Sequence, residues 1–109
     1  MAYPVKRPRK GYVASPQSII ALATVRNNPA KREQALSQIK GFNFNSAAGF
    51  PALLKYIDDH LGLDAEELSR AFPFSQSDIE SWSTPQGHPP NSLDRKAIAD
   101  FALKRLEKP

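Results

Sequence analysis

The stretch from Leu63 to Trp82 constrains the fold more than any other part of this 109-residue chain. Two short helical patterns lie either side of a tight break, and each carries its own start signal. Asp64 stands where the first helix needs an N-cap, and Glu67, three positions on, completes a capping-box spacing. Leu63, Leu68 and Ala71 give that helix an apolar face. Ser75 is placed to cap the second pattern, with Asp78 at the reciprocal position. Ile79 and Trp82, three apart, turn the second helix inward. The spacing predicts two short helices joined by a turn of three or four residues.

These residues resemble a family. Leu63, Glu66, Glu67, Leu68, Ser69, Arg70, Ala71 and Phe72 look like the first half of the helix-turn-helix of phage Cro and repressor proteins. Ser75, Gln76, Ser77, Ile79 and Trp82 look like the second half, and Ser83 to Pro90 look like the loop that follows, with Gly87 and then Pro89. The resemblance spans about residues 52–106 and leaves the N-terminal third uncovered. It implies a sequence-specific DNA-binding protein, a small transcriptional regulator or repressor of phage, plasmid or bacterial type. In the family the second helix enters the major groove. By the resemblance, Gln76, Ser77 and Ser81 match the base-reading positions, with Gln suited to adenine and Ser permissive. Ser75 would hold a phosphate at the helix start. Such domains usually dimerise on a two-fold DNA site, and the segment 15–39 is a candidate interface. The chain departs from the family in two ways. Pro73 stands where the family usually has Gly, so the turn must differ locally. Asp78 and Glu80 put carboxylates on the reading helix, where phosphates would repel them.

The charge of +4 is unevenly placed. Lys6, Arg7, Arg9 and Lys10 fall within the first twelve residues, with no acid among them. The rest of the chain has 11 basic and 11 acidic residues, because 15 − 4 = 11. Residues 1–12 are therefore expected to form a basic flexible arm, which Pro4 and Pro8 keep out of helix. The arm fits two roles equally: a clamp on DNA phosphates, together with Arg70, or a solvated tail that aids solubility. Residues 13–109 are expected to form one helical domain, with a helical hairpin over 13–46 and the helix-turn-helix region over 47–109.

Ser15-Pro16 is a helix start, with Ile19, Ile20, Leu22, Ala23 and Val25 following at near-helical spacing. Asn27-Asn28-Pro29 breaks that helix, and a second runs from Pro29 or Ala30 to Ile39. Phe42 and Phe44 are expected to plug the core rather than to stack on bases. A helix follows over 52–60. The last spans about 93–106, capped by Ser92, with Ala97, Ile98, Phe101, Ala102 and Leu106 as its apolar stripe. No segment alternates with period two, so the predicted class is all-α.

The chain has no cysteine, no Gly-rich phosphate loop and no metalloprotease or hydrolase motif. His60 and His88 lack convergent metal-binding spacing. Asp58-Asp59 and Glu66-Glu67 are adjacent pairs, which diverge on a helix and are expected to be solvated. The sequence thus predicts no enzyme, no cofactor and no metal. It contains no membrane span or signal peptide, which fits a cytoplasmic protein. Double-stranded DNA is the expected partner. The acidic second helix and the neutral body keep a rival open: a protein–protein interaction module, inhibitor or adaptor that binds a partner through residues 15–50.

Overall fold

The computed structural model describes residues 11–84, Gly87 and residues 89–107. They form six helices and no strand: α1 (Pro16–Arg26), α2 (Pro29–Gly41), α3 (Gly49–Leu61), α4 (Ala65–Ala71), α5 (Gln76–Ser81) and α6 (Ser92–Glu107). The chain is all-α, as its periodicity predicts. No described helix is long and apolar enough to cross a membrane.

Polar side chains at the breaks start most of these helices. Ser15 accepts from the Ser18 amide, and Pro16 occupies the first helical position. Asn28, which ends one pattern in sequence, begins the next by accepting from the amides of Ala30 and Lys31. Asp64 caps α4 through the Glu67 amide at 2.8 Å, and Ser75 caps α5 through the Asp78 amide at 3.1 Å. Two expected boundaries move. α3 begins at Gly49, not Ala52, with Ala48 at its N-cap position and no side-chain cap; in the turn before it the Ser46 hydroxyl accepts from the Gly49 amide at 2.8 Å. Asn91, not Ser92, caps α6: its side-chain oxygen accepts from the Asp94 amide at 2.9 Å. Ser92 is the first residue inside that helix.

One core joins all six helices. It includes Leu22 of α1, Ala35 and Ile39 of α2, and Phe50, Leu53, Ile57 and Leu61 of α3. From the C-terminal half come Leu68, Ala71, Ile79, Ile98, Phe101, Ala102 and Leu106. Phe42 and Phe44 lie half-buried against it, as expected of plugs. The hairpin and the C-terminal helices therefore share their apolar interior rather than forming separate bodies.

α1 reaches α3 through a close backbone approach at Gly62. This glycine ends α3 in the left-handed region at φ 66°, and a Cβ there would lie 2.8 Å from the Ser18 Cα. Ser18 itself is buried, and its hydroxyl donates to the Leu61 carbonyl at 3.3 Å.

Candidate nucleic-acid interface

α4 and α5 are two short helices joined by the four residues Phe72 to Ser75, as the spacing predicts. The turn is built without glycine. Phe72 and Ser75 are extended, at ψ 157° and 152°, and no described non-glycine residue has a positive φ. Pro73 is compatible with that path because Phe72, the residue before it, is extended as a proline requires. Aromatic packing then fixes the turn. Phe72 is fully buried and edge-on to Phe101 at 5.2 Å, and Phe74 meets Trp82 edge-on at 5.0 Å. Trp82 also packs against Phe50 at 5.8 Å. Ile79 and Trp82 are both buried, which fixes the register of α5.

That register exposes Ser75, Gln76 and Ser77. Their side chains are not equally available. The Ser75 hydroxyl is engaged as the cap. The Gln76 amide nitrogen donates to the Glu80 carboxylate at 3.2 Å, one turn along the same exposed face. Ser81 is half-buried and donates its proton to the Asp78 carbonyl at 2.6 Å. Ser77 makes no such contact among the described residues. α5 contains Asp78 and Glu80 and no cation.

Arg70 sits on α4, beside this helix, with its side chain about half exposed. Its guanidinium donates to the Val13 carbonyl at 3.1 Å and lies 3.7 Å from the Glu67 carboxylate. The phosphate contact expected of it thus competes with a structural task. Arg95 donates to Asn45 at 3.2 Å, and Lys96 faces Asp100 at 3.9 Å. Lys6, Arg7, Arg9 and Lys10 lie outside the described residues. Tyr12, which the sequence assigns to the arm, is docked on the helical body. It is edge-on to Phe101 at 5.7 Å, lies under the Arg105 guanidinium at 5.1 Å, and donates to Glu67.

Glu67 corrects a second expectation. It is neither solvated nor closing a capping box; only 2% of its side chain is exposed. Its carboxylate accepts from the Tyr12 hydroxyl and from the Ser15 amide at 3.1 Å. Burial pushes its pKa up, but the Ser15 and Tyr12 hydrogen bonds and the Arg70 charge outweigh burial and hold it below the ordinary carboxylate value. The same contact, with burial as the larger cause, raises the Tyr12 hydroxyl to about 12. A sequence signal for this burial exists: Glu67 lies four residues from both Leu63 and Ala71, in the middle of the apolar face.

A groove of about 530 Å³ runs between α3 and the α4–α5 pair. Leu54, Leu68 and Ile79 line its floor, and Lys55, Asp58 and Glu80 its rim. Burial, and then the carboxylates of Asp64 and Asp59, raise the pKa of Asp58. The His60 ring packs against Tyr56 at 4.5 Å, tilted by 38°. Among the described residues no group of three His, Asp or Glu side chains is placed to hold a metal.

Compared with models of known families, with characterised proteins and with solved structures, the chain matches none.

Proposed function

We propose that this protein binds double-stranded DNA through α5 and serves as a small transcriptional regulator. The observation that carries the reading is the register of α5. Ile79 and Trp82 are buried, while Ser75, Gln76 and Ser77 share the exposed side at the start of the helix. A recognition helix contacts base edges from that end. Gln76 would exchange its Glu80 partner for an adenine edge, and Ser77 would contact a neighbouring base. Lys6, Arg7, Arg9 and Lys10 would supply phosphate contacts, which α5 lacks. The regulator would act sterically, by occupying an operator. A cytoplasmic location belongs to the same reading.

The acidic rim beside α5 favours a second reading. Asp58, Asp59 and Glu80 line an apolar groove with Lys55 as its one cation, which suits a basic amphipathic segment of another protein better than it suits a phosphate backbone. A mobility-shift titration with duplex DNA at two salt concentrations separates the two. The DNA reading expects binding that weakens steeply with salt, and weaker binding still when residues 1–10 are removed. Gln76→Ala should lower the ratio of specific to scrambled binding by about 1–3 kcal/mol. No binding at micromolar protein in low salt leaves the protein-module reading in its place.

A further inference from the structure

The groove between α3 and the α4–α5 pair carries an uneven charge. Its one cation, Lys55, lies 3.9 Å from Asp59, which matches it. Among the described residues no cation faces the carboxylates of Asp58 and Glu80 on the same rim, or of Glu66, exposed on α4. The cations of the arm have the opposite imbalance: Lys6, Arg7, Arg9 and Lys10 stand in a stretch with no acid before Glu33. The arm also joins the body next to α4. Gly11, Tyr12 and Val13 border Arg70, which donates to the Val13 carbonyl. Around α4, at about 100° per residue, Arg70 is followed by Glu66, Ser69, Ala65 and then Leu68. Ala65 and Leu68 line the groove, so Glu66 stands on the way to it. Half the circumference of a helix with its side chains is about 17 Å, and ten extended residues reach about 33 Å. Residues 6–10 are thus enough to cross α4, and residues 1–5 remain for the groove.

We infer that the groove is the seat of the chain's own arm: residues 6–10 cross α4 over Glu66, and Met1 to Val5 lie in the groove. In an extended chain, which Pro4 and Pro8 favour, Met1, Tyr3 and Val5 share one face. That face meets the floor of Leu54, Leu68 and Ile79. Lys6 and Arg7 come to the rim, against Asp58 and Glu80, and Arg9 and Lys10 lie over Glu66. Arg70 offers them little opposition, because the Glu67 carboxylate and the Val13 carbonyl hold its guanidinium. A basic segment of another protein would meet the same chemistry. The tether favours the arm, since it gives an effective concentration on the order of mM.

The docking does not rest on the DNA reading, but its consequence does. Cations seated on Glu66 and on the groove rim are withdrawn from phosphates. The groove and DNA then compete for one arm, and the groove restrains the binding that the arm supports.

The chain has no cysteine, so a designed pair reports the contact without background. In the full chain, Ala2→Cys is combined with Ala52→Cys on the groove, or with Ala30→Cys, exposed near the start of α2. Under mild oxidation the groove pair should close its intramolecular disulfide at least about tenfold faster than the α2 pair. Asp58→Lys together with Glu66→Lys should remove most of that advantage, as should salt near 1 M, where screening is about 3 Å. Both sites are exposed, so the melting temperature should hold. Equal rates for the two pairs, or an advantage indifferent to both lysines, overturn the proposal and leave the groove to another protein. A disulfide that forms only between two chains overturns it in favour of a second copy's arm. A mobility shift reads the consequence: the oxidised groove pair should bind duplex DNA at least about tenfold more weakly than the reduced one. Equal affinities would overturn the competition. DNA bound by neither form would overturn the DNA reading, with the docking still decided by the disulfide rates.

Discussion

The hydroxyl of Tyr12 donates to the carboxylate of Glu67, 55 positions away in sequence, and so ties the segment ahead of α1 to α4. Glu67 is a buried anion whose partners are Tyr12, the Ser15 amide and Arg70. The cluster fixes Tyr12 and Ser15, which precede α1, against α4.

Glu67→Ala leaves the Tyr12 hydroxyl and the Ser15 amide without their acceptor. The expected loss is about 1–3 kcal/mol for each buried donor stranded. Tyr12→Phe removes one charged hydrogen bond and leaves the others, for about 1.5–3 kcal/mol. Urea unfolding of both single variants and the double variant measures their coupling. Additive losses would mean that the two side chains act independently, against the geometry.

The same pair sets a pH window. The folded pKa of Glu67 lies below the ordinary value, so its contribution is present above that value and is lost as pH falls through the folded one. The folded pKa of Tyr12 is raised from 10.0 to about 12, so its contribution is complete below 10.0 and is lost as pH rises through about 12. Unfolding midpoints followed from acid to alkali should fall at both ends. In Tyr12→Phe the alkaline fall should shrink, and in Glu67→Gln the acid fall should shrink. Unchanged profiles in both variants would show that other groups control the window.

Gly62→Ala should destabilise the fold by more than 1 kcal/mol. The residue sits at φ 66°, and its Cβ would press on the Ser18 backbone at 2.8 Å, which has no flexible end to move aside. Thermal melts compare it with Gly41→Ala, a position with nothing within 4 Å. Equal melting temperatures for the two would place α1 further from α3 than described.

Trp82→Ala should cost about 3–5 kcal/mol, as expected for removing a buried aromatic. The ring is 5% exposed and contacts Phe50 and Phe74. It is the only tryptophan, so native emission should be blue-shifted and protected from quenchers. Red, readily quenched emission would require a different register for α5.

Much of this architecture was legible from local signals. Ser15, Asp64 and Ser75 act as caps where their spacing predicts, since a cap needs only residues within one turn. Ile79 and Trp82 face inward as their spacing requires. The position of Arg70 beside the turn suggests a phosphate contact. Its hold on the Val13 carbonyl depends on a segment 57 positions earlier, which no local pattern encodes. A carboxylate beside Glu66 on a helix is expected to be solvated, and only the hydrogen bonds from Tyr12 and Ser15 make the burial of Glu67 tolerable.

The sequence by itself determined which segments are helical, the caps of α1, α4 and α5, and the inward faces of α3, α5 and α6, because periodicity and capping act over a few residues. Only the tertiary structure decided that Ile19 and Ile20 remain outside, although they belong to the same apolar run as Leu22. A helix has more than one side, and the core can cover only the side that a neighbour reaches. At Gly62 that neighbour is α3, whose close approach selects the Ser18 and Leu22 side of α1 and leaves the isoleucines to solvent.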